Sequence, residues 1–363
     1  MKIGIIGLPQ CGKTTLCNAL TGADLPVGKM LGGGRVAVTS ATVSVPDERV
    51  DWLATLYKPA KTTHAQVTFL DIGGVQGSKS SFSGPLLNAL AQTDAFLHVV
   101  RSFANDLVPH PLLSIDAARD VQALDDELLL NDLLVVERRL EKLGDERRKG
   151  AGRDKAEIER EHELFTRLHT MLNNGAALRT LQLSAEEERT LSGFGLLTRK
   201  PLLVVLNTGD DAGSGDGQIP AGVAASHRVV ALQCKLEMEI AQLAPDEAVL
   251  FLAEYGLQAP SLQRVIRMCY DLLNRQAFFT VGEDEVRAWT INNGASAPQA
   301  SGAIHSDLEA GFIRAEVMAY ADLHQHGSEA AVKTAGKWRL EGREYTVQDG
   351  DILQVRFSPP SKK

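Results

Sequence analysis

The sequence predicts an α/β protein with a mainly parallel sheet, an inserted antiparallel helical hairpin and a small α+β domain at its C-terminal end. Three observations carry this prediction. Met1–Gly22 is typical of a short buried strand, a glycine loop and a helix. Residues 125–200 contain apolar residues at the spacing of two long helices. From Phe278 onward, short β-branched and aromatic segments alternate with turn residues.

The composition is that of an ordinary globular protein. The 363 residues are 44% hydrophobic and 23% charged, which is enough for two or three domains with real cores. The net charge of −8 gives no overall attraction to nucleic acid, so any such contact must be local. The four cysteines have no metal-ligand spacing and suit a reducing compartment. We find no signal peptide and no apolar run of ~18 residues, so we expect a cytoplasmic protein without a membrane span.

The first strand and the loop after it form the most specific motif of the chain. Ile3, Ile5 and Ile6 are a β-branched run of the kind found in buried parallel strands. They lead into Gly7–Thr14, which matches G-x-x-x-x-G-K-[ST], and Leu16–Leu20 continues as an amphipathic helix. Because strand, loop and helix occur in this order, a glycine turn without a ligand is the weaker alternative. We interpret the segment as a phosphate-binding loop.

The residue types of this loop explain its chemistry. Gly7 and Gly12 let the backbone curl so that successive N–H groups face phosphate oxygens. The helix that starts near Lys13 adds its positive end to the same site. Lys13 is expected to contact the β- and γ-phosphates, and the Thr14 hydroxyl is expected to ligate Mg²⁺.

A second element of the site follows the strand predicted at Gln66–Leu70. The sequence DIGG at 71–74 is a D-x-x-G pattern, at the distance from the phosphate loop that GTPase-type sites have. Asp71 is expected to hold Mg²⁺ through water, and the Gly74 N–H to face the γ-phosphate. By itself, a D-x-x-G pattern is usually only a turn. Because this one follows a phosphate-binding loop, a functional role is the better interpretation. Asp24–Val38, which has no periodicity, occupies the place of a first switch.

A base-reading loop is predicted after the buried strand Pro201–Leu206. Residues 207–210, NTGD, stand where nucleotidases of this type carry N-K-x-D. Asn207 is expected to brace the phosphate loop, and Asp210 to accept hydrogen bonds from a purine edge. The usual lysine is Thr208, so no aliphatic stem covers the base. A simple Asn/Asp/Gly turn remains the alternative.

Other elements complete the nucleotidase sheet. We predict a strand within 35–45, a helix over Asp47–Tyr57, and strands over Ala95–Arg101 and Arg228–Leu232. The last strand leads to Cys234 and Lys235, which are expected to lie over the other face of the base.

Between residues 125 and 200 the pattern changes to that of two charged helices. Apolar residues recur three or four apart, or at multiples of that spacing, at Leu129, Leu133, Val136, Leu140 and Leu143, and again at Ile158, Phe165, Leu168 and Leu172. Joined by the polar residues 144–154, two such helices form an antiparallel hairpin. Its tip carries a basic cluster, Arg147, Arg148, Lys149 and Arg153. A solvated charged face and a contact with RNA are equally good interpretations of this cluster.

The C-terminal residues predict a compact α+β domain of ordinary size. Phe278–Val281 and Val286–Ile291 are spaced as a hairpin, and a helix is expected near His305–Ala310. Further strands are predicted at Phe312–Met318, Tyr345–Val347 and Ile352–Phe357.

With these motifs, the chain resembles the YchF/Obg-like ATPases, a branch of the Obg family of P-loop nucleotidases. The resemblance covers nearly the full length and is strongest at GLPQCGKTT, VPDERVDWL, DAFLHVVR, LSAEEE and the block from FFTVGEDEVRAWTI to YTVQDGDI. That last block is similar to the family's TGS domain, a ubiquitin-like β-grasp fold. The resemblance implies a nucleotidase domain at 1–124 and 201–277, the hairpin at 125–200 and the TGS domain at 278–363.

The resemblance also implies function. It implies hydrolysis of ATP, often in preference to GTP, with Mg²⁺ and commonly K⁺, and association with ribosomes or RNA through the hairpin tip and the TGS domain. The residues expected to bind nucleotide are Gln10, Cys11, Gly12, Lys13, Thr14, Thr15, Asn207, Asp210, Cys234 and Lys235. Lys13 and Gly74 are expected to be catalytic, and Thr14 and Asp71 to hold the metal.

Several departures from the family pattern leave two functions open. Gln10 replaces the asparagine associated with the monovalent ion, and Arg35 stands where the first switch has its threonine. Thr39 or Thr42 could replace that threonine only if this loop aligns with the family's first switch in a shifted register. We therefore expect slow hydrolysis, the alternative being a nucleotide-binding scaffold or sensor that does not hydrolyse. Cys11 beside the phosphates is a packing residue or, if its thiol pKa is lowered, a redox sensor.

Overall fold

The computed structural model describes residues 1–27, 38–73, 84–149, 152–209, 219–254 and 261–358. The chain divides into two compact units. The first consists of Met1–Thr42 and Thr68–Leu262, and the second of Val43–Val67 and Gln263–Lys363. In the described ranges, no helix is both long and apolar enough to cross a membrane.

Strands and helices alternate along the chain up to the hairpin, except that the strands Lys61–Thr63 and Gln66–Ile72 follow each other directly. The strands are β1 (Lys2–Ile6), β2 (Val38–Ser44), β3 (Lys61–Thr63), β4 (Gln66–Ile72), β5 (Ala95–Ser102), β6 (Leu202–Thr208), β7 (Arg228–Leu232), β8 (Arg275–Thr280), β9 (Glu285–Asn292), β10 (Phe312–Ala319), β11 (Arg339–Glu341) and β12 (Asp351–Phe357). The helices are α1 (Lys13–Thr21), α2 (Glu48–Tyr57), α3 (Gly84–Ala91), α4 (Ala117–Lys149), α5 (Lys155–Asn173), α6 (Ala185–Leu191), α7 (Ala221–Ser226), α8 (Cys234–Gln242), α9 (Pro245–Glu254), α10 (Ser261–Leu272), α11 (Ala297–Ile304), α12 (Ser306–Ala310), α13 (Tyr320–His326) and α14 (Glu329–Thr334).

The first unit is built on a sheet with the strand order β2-β4-β1-β5-β6-β7. The pairs β4–β1, β1–β5, β5–β6 and β6–β7 are all parallel, which confirms the predicted mainly parallel sheet. β5 and β6 are buried almost throughout, as strands covered on both faces should be. Because these strands are parallel, their carboxyl ends meet at one edge, and the candidate site lies there.

The predicted helical hairpin is confirmed as α4 and α5. The helices run antiparallel, since Arg139 Nε contacts Glu161 Oε1 at 2.7 Å whereas the earlier Glu137 faces the later His169 at 3.6 Å. Phe165 is fully buried in the hairpin, and its ring packs edge-on against that of Phe194 at 4.8 Å between centroids. The predicted apolar seam forms their shared core.

A buried aspartate fixes the base of the hairpin. Asp132 accepts hydrogen bonds from the backbone N–H groups of Leu197 and Thr198 at 2.8 and 2.7 Å. The Thr198 hydroxyl donates to the same carboxylate at 2.7 Å. Burial raises the pKa of Asp132 while these hydrogen bonds lower it. These hydrogen bonds tie Leu197 and Thr198, which follow α6 in the chain, to the middle of α4.

The second unit contains a sheet with the order β11-β10-β12-β8-β9-β3. The predicted hairpin β8–β9 is confirmed, with Thr280 opposite Arg287. The edge strand β3 runs parallel to β9 and comes from the N-terminal part of the chain. Helix α2, from the same segment, also belongs to this unit.

Polar and aromatic contacts attach α2 to the C-terminal residues of the second unit. Arg49 Nη1 lies 2.7 Å from Asp349 Oδ2, and the Arg49 guanidinium stands over the ring of Phe279 at 5.0 Å. The ring of Trp52 meets that of Tyr320 edge-on at 5.5 Å. Residues Val43–Val67, which the sequence assigned to the nucleotidase domain, therefore pack within the second unit.

The C-terminal elements differ from the sequence prediction at Tyr345–Val347 and at four elements that were not predicted, namely α11, α13, α14 and β11. Helix α11 was not predicted, because small residues such as Ala297 and Ala300, both fully buried, give little apolar periodicity. The strand predicted at Tyr345–Val347 is wrong: this segment makes only a single bridge, from Thr346 to Ser296.

Candidate functional site

The phosphate-binding loop has a backbone that requires glycine at two positions. Gly7 and Gly12 have φ of 146° and 102°, in the region that disfavours side chains. A Cβ on Gly7 would collide with the carbonyl oxygen of Val99, and one on Gly12 with the amide of Asn207. The loop therefore lies pressed between the ends of β5 and β6. Gln10 is exposed at its crest, with φ of 62°.

Lys13 and the start of α1 give the loop its positive character. Gly12 caps α1 without any side-chain hydrogen bond, so the helix end is open to an anion. The Lys13 ammonium is buried and donates to the carbonyl oxygens of Gly7 and Leu8 at 3.1 and 2.9 Å. No carboxylate pairs with Lys13 in the described parts of the chain. A phosphate oxygen would satisfy this ammonium better than two neutral carbonyls do.

Thr14 and Asp71 lie together, as a magnesium site requires. The Thr14 hydroxyl donates to Asp71 Oδ2 at 2.8 Å. The other oxygen, Oδ1, is buried and has no hydrogen-bond partner among the described residues. A hydroxyl and a carboxylate are ligands that suit Mg²⁺, which takes its remaining ligands from phosphates and water. The residues present thus fit Mg²⁺, although nowhere in the described ranges do three His, Cys, Asp or Glu side chains cluster as a metal site of their own.

Asn207 connects the phosphate loop with the start of α8. Its Nδ2 donates to the carbonyl oxygen of Cys11 at 3.0 Å, and its Oδ1 accepts from the N–H of Cys234 at 3.2 Å. Gln233 adds a hydrogen bond from its side-chain amide to the carbonyl oxygen of Gly209 at 3.2 Å. Residues nearly two hundred positions apart in sequence are held together by one amide.

The Cys11 thiol is buried under the loop and not activated. Burial raises the pKa of Cys11, and Lys13 only partly opposes this. The pKa of Cys234 is also raised, mainly by burial. A thiol in such a place stays protonated and packs as a small apolar group. The geometry therefore supports packing rather than a redox sensor for Cys11.

The remaining predicted site residues lie partly outside the described ranges. Gly74 and Asp210 fall outside them, as does Arg35 of the first switch. Thr15 is half-buried in the first turn of α1, and Lys235 is exposed and 4.0 Å from the carboxylate of Glu239.

Thr42, the possible replacement for the first-switch threonine, is engaged elsewhere. Its hydroxyl lies 3.0 Å from that of Thr68, three residues before Asp71 on β4. Thr39 is exposed on the same strand, β2.

Sequence reasoning missed Arg101, a buried cation at the same edge of the sheet. It is opposite Asn207 in the β5–β6 pairing, so both side chains project from the same face. The signal was available: like Asp71 and Asn207, Arg101 is a polar residue at the end of a buried parallel strand. Asn18 was missed too; its amide holds Leu25 through two hydrogen bonds of 2.8 and 3.0 Å.

Comparison with family models agrees with this geometry. Residues 2–137 match the model described as 50S ribosome-binding GTPase. Residues 275–358 match the model YchF-GTPase_C, described as Protein of unknown function (DUF933).

Full-length relatives decide the family. The chain is 39% identical to "Ribosome-binding ATPase YchF" of Pasteurella multocida (strain Pm70), over 98% of this chain and 99% of that protein. The chain belongs to the YchF family. A YchF relative from Bacillus subtilis (strain 168), with the same printed name, is 36% identical over 99% of both chains. The "Obg-like ATPase 1" of Oryza sativa subsp. japonica is 35% identical over 99% of this chain and 92% of that protein.

A solved YchF structure has the same architecture. The "Structure of the Schizosaccharomyces pombe YchF GTPase" matches with a TM-score of 0.83 and 29% identity, covering 98% of this chain and 97% of that one. The predicted resemblance and fold class are thus confirmed.

Proposed function

We propose that the protein is a P-loop nucleotide hydrolase that binds ATP, and GTP as a second nucleotide, and works in association with the ribosome. One observation carries the proposal: Lys13, Thr14, Asp71 and Asn207 meet around the open N-terminus of α1. The printed names of the relatives, ribosome-binding ATPases, support both the reaction and the partner.

Each residue has a distinct part in this proposal. Lys13 turns from the loop carbonyls to the β- and γ-phosphates. Thr14 and Asp71 hold Mg²⁺, which when bound neutralises charge on the phosphates. Asn207 keeps the loop and the base-reading segment in register. Gly74 and Asp210 retain their predicted parts at the γ-phosphate and the purine edge. K⁺ as a second ion belongs to the same proposal.

The test of binding is the removal of the loop lysine. Lys13→Ala should abolish binding of ATP and GTP in calorimetry, because no other described side chain replaces its ammonium at the phosphates. The matched control is Lys142→Ala, which removes an exposed lysine from the hairpin. Wild-type affinity in the Lys13→Ala protein would refute the site, provided that its circular dichroism matches that of the wild type.

Hydrolysis needs its own test because the switch sequences depart from the family pattern. Single-turnover hydrolysis of ATP with Mg²⁺, with and without K⁺, should give a slow but measurable rate. A rate no higher than that of Lys13→Ala, despite tight binding, would favour the alternative of a scaffold or sensor that does not hydrolyse. The substitution of Arg35 for the first-switch threonine is the observation behind that alternative.

A further inference from the structure

Two leucines are almost fully exposed in the connection between β5 and α4. Leu107 is 92% exposed and Leu113 is 94% exposed, more than any other large apolar side chain in the described ranges. Residues 103–116, here called the β5–α4 loop, contain no helix or strand. A loop of this length without secondary structure is uncommon in a compact unit unless it has a function. Because single exposed leucines are common, the structure of the loop is what distinguishes these two.

A buried charge holds the first turn of the β5–α4 loop. Arg101, buried at the end of β5, donates from Nε to the carbonyl oxygen of Phe103 at 3.0 Å and from Nη2 to that of Val108 at 2.8 Å. The N–H of Leu107 donates to Asn105 Oδ1 at 3.0 Å, and the N–H of Val108 to the carbonyl oxygen of Asn105 at 3.1 Å. These hydrogen bonds close a tight turn over residues 105–108, with the side chain of Leu107 on its outside.

A buried histidine and a buried aspartate hold the second turn. His110 Nε2 lies 2.9 Å from Asp120 Oδ2, and both side chains are almost completely buried. The N–H of Leu113 donates to the carbonyl oxygen of His110 at 2.9 Å. Arg119, which pairs with Asp120 at 2.8 Å, donates to the carbonyl oxygen and the hydroxyl of Ser114, both at 2.7 Å. The backbone on both sides of Leu113 is therefore fixed from the start of α4.

Leu113 has a backbone conformation that leucine rarely adopts. Its φ of 66° lies in the left-handed region, where glycine and asparagine are favoured. Both this backbone and the exposure of the side chain to water are unfavourable for a leucine. No contact within the described ranges offsets them, since the side chain is 94% exposed. Burial of Leu113 against another molecule would offset both.

The charges of the β5–α4 loop favour a protein partner over RNA. Between Arg101 and Arg119 the sequence has no lysine or arginine, and its two carboxylates, Asp106 and Asp116, are exposed. Carboxylates repel phosphate groups, whereas an apolar pocket bordered by lysines or arginines would accept leucine and aspartate side chains together. Of the two components of a ribosome, RNA and protein, the loop therefore fits protein.

We propose that the β5–α4 loop docks on a ribosomal protein, with Leu107 and Leu113 entering an apolar surface that lysines or arginines border. The inference rests on the proposed association with the ribosome, and it names the surface and the class of partner. Because both turns are already fixed in the free protein, little loss of conformational freedom opposes docking.

The first test replaces both leucines and keeps the turns. Leu107→Gln with Leu113→Asn removes the apolar groups, and asparagine accepts the left-handed conformation more readily than leucine does. In co-sedimentation with purified ribosomes the full-length double variant should bind about tenfold more weakly. Its affinity for ATP in calorimetry should be unchanged, and its urea midpoint should be no lower. The matched control, Leu250→Gln, removes an exposed leucine elsewhere in the same unit and should bind ribosomes as the wild type does.

The second test distinguishes a protein from RNA. Asp106→Lys should weaken binding to ribosomes, because the new ammonium faces the basic border of the pocket. Stronger binding would mean that phosphates face the loop, and would overturn the proposal. A photoreactive amino acid introduced at position 107 should cross-link to a protein of purified ribosomes. A cross-link to RNA alone would also overturn it.

The outcomes separate this inference from the proposed function. If the wild type binds ATP but does not sediment with ribosomes, the proposed association with the ribosome fails, and the docking surface fails with it. If the wild type sediments and the double variant Leu107→Gln with Leu113→Asn binds as tightly, only the docking surface is refuted.

Discussion

His98 is a fully buried histidine in the middle of β5. Neither of its ring nitrogens has a hydrogen-bond partner among the described residues. It projects from the same face as Phe96 and Val100, which lie in the main core of the first unit. Burial is the main cause that lowers the pKa of His98 to about 3, and the nearby pair Asp125 and His227 adds smaller opposing effects.

This burial predicts a pH dependence of stability. Below the unfolded pKa of about 6.5 the unfolded chain binds a proton at His98 that the folded protein refuses, so stability falls as the pH drops towards 3. At pH 5 the loss is about 2 kcal/mol. Urea unfolding followed by circular dichroism at pH 7 and pH 5 measures this loss in the free energy of unfolding. The His98→Leu protein should not show the part that comes from His98. His162→Gln, a histidine on the hairpin of the same unit, should retain it. An unchanged pH dependence in His98→Leu would contradict the prediction.

Base selectivity is a second property of single residues. Thr208 is buried as the last residue of β6, and its short side chain lacks the aliphatic stem with which a lysine covers a base. Asp210, if it accepts hydrogen bonds from the purine as proposed, would alone be half of a guanine reader, and a missing hydrogen-bonded reader usually weakens discrimination. ATP and GTP should therefore bind within about tenfold of each other, or ~1.4 kcal/mol, with ATP the tighter. Titration of both nucleotides under identical Mg²⁺ and K⁺ checks this, and a hundredfold preference for GTP would refute it.

Single residues also show what the sequence could and could not predict. The spacing of the phosphate-loop motif predicted that Lys13 and Thr14 would lie at a helix start, because local geometry dictates it. His98 could not be singled out, because an apolar strand such as AFLHVVR does not reveal which side chains lack partners. Such facts depend on packing between distant segments, which no local pattern records.

The hairpin is the element whose tip the sequence linked to RNA. Its arginines are already paired: Arg147 with Glu159 at 2.8 Å, and Arg148 with Asp145 at 2.5 Å. Arg153 contacts three glutamates, and acidic residues outnumber basic ones over 144–163. The side chain of Lys149 lies outside the described parts of the structure. A phosphate backbone would have to compete with these carboxylates.

The contribution of the tip to ribosome association can be measured through its salt dependence. Neutralising the four basic residues, Arg147, Arg148, Lys149 and Arg153, should weaken co-sedimentation with ribosomes. It should also make the slope of log K against log[salt] less steep. The change should be less than about 0.9 per residue, because the arginines already form ion pairs. The matched control, Asp145→Asn with Glu159→Gln, frees two arginines and should act in the opposite direction. Equal salt slopes in all three proteins would mean that the cluster is only a solvated face.

At the scale of the whole molecule, the two units are not two successive stretches of sequence. The mainly parallel sheet and the hairpin could be predicted because their patterns are long and periodic. The membership of Val43–Val67 in the second unit could not, since β3 is only three residues long and α2 resembles any amphipathic helix. The cytoplasmic location stays a prediction.

The discontinuous second unit predicts how fragments will behave. A fragment of residues 263–363 lacks α2 and the edge strand β3, and so leaves β9 without its strand partner at Glu285, Val286 and Arg287. Joining residues 43–67 to it through a flexible linker should raise the urea midpoint followed by tryptophan fluorescence. The same fusion with Arg49→Met should raise the urea midpoint by less, because it loses the contacts of Arg49 with Asp349 and with the Phe279 ring. Equal midpoints for all three would contradict the prediction.

The early position of Val43–Val67 in the chain also has a consequence during translation. This segment is synthesised before residues 68–262, and its partners, Gln263–Lys363, come only after them. At about 5–20 residues per second, the delay is on the order of tens of seconds. Until then Val50 and Leu53, fully buried in the finished protein, have no partner sheet to cover them. The second unit therefore completes its folding only after Gln263–Lys363 has been synthesised, at a time set by the ribosome and not by its own folding rate.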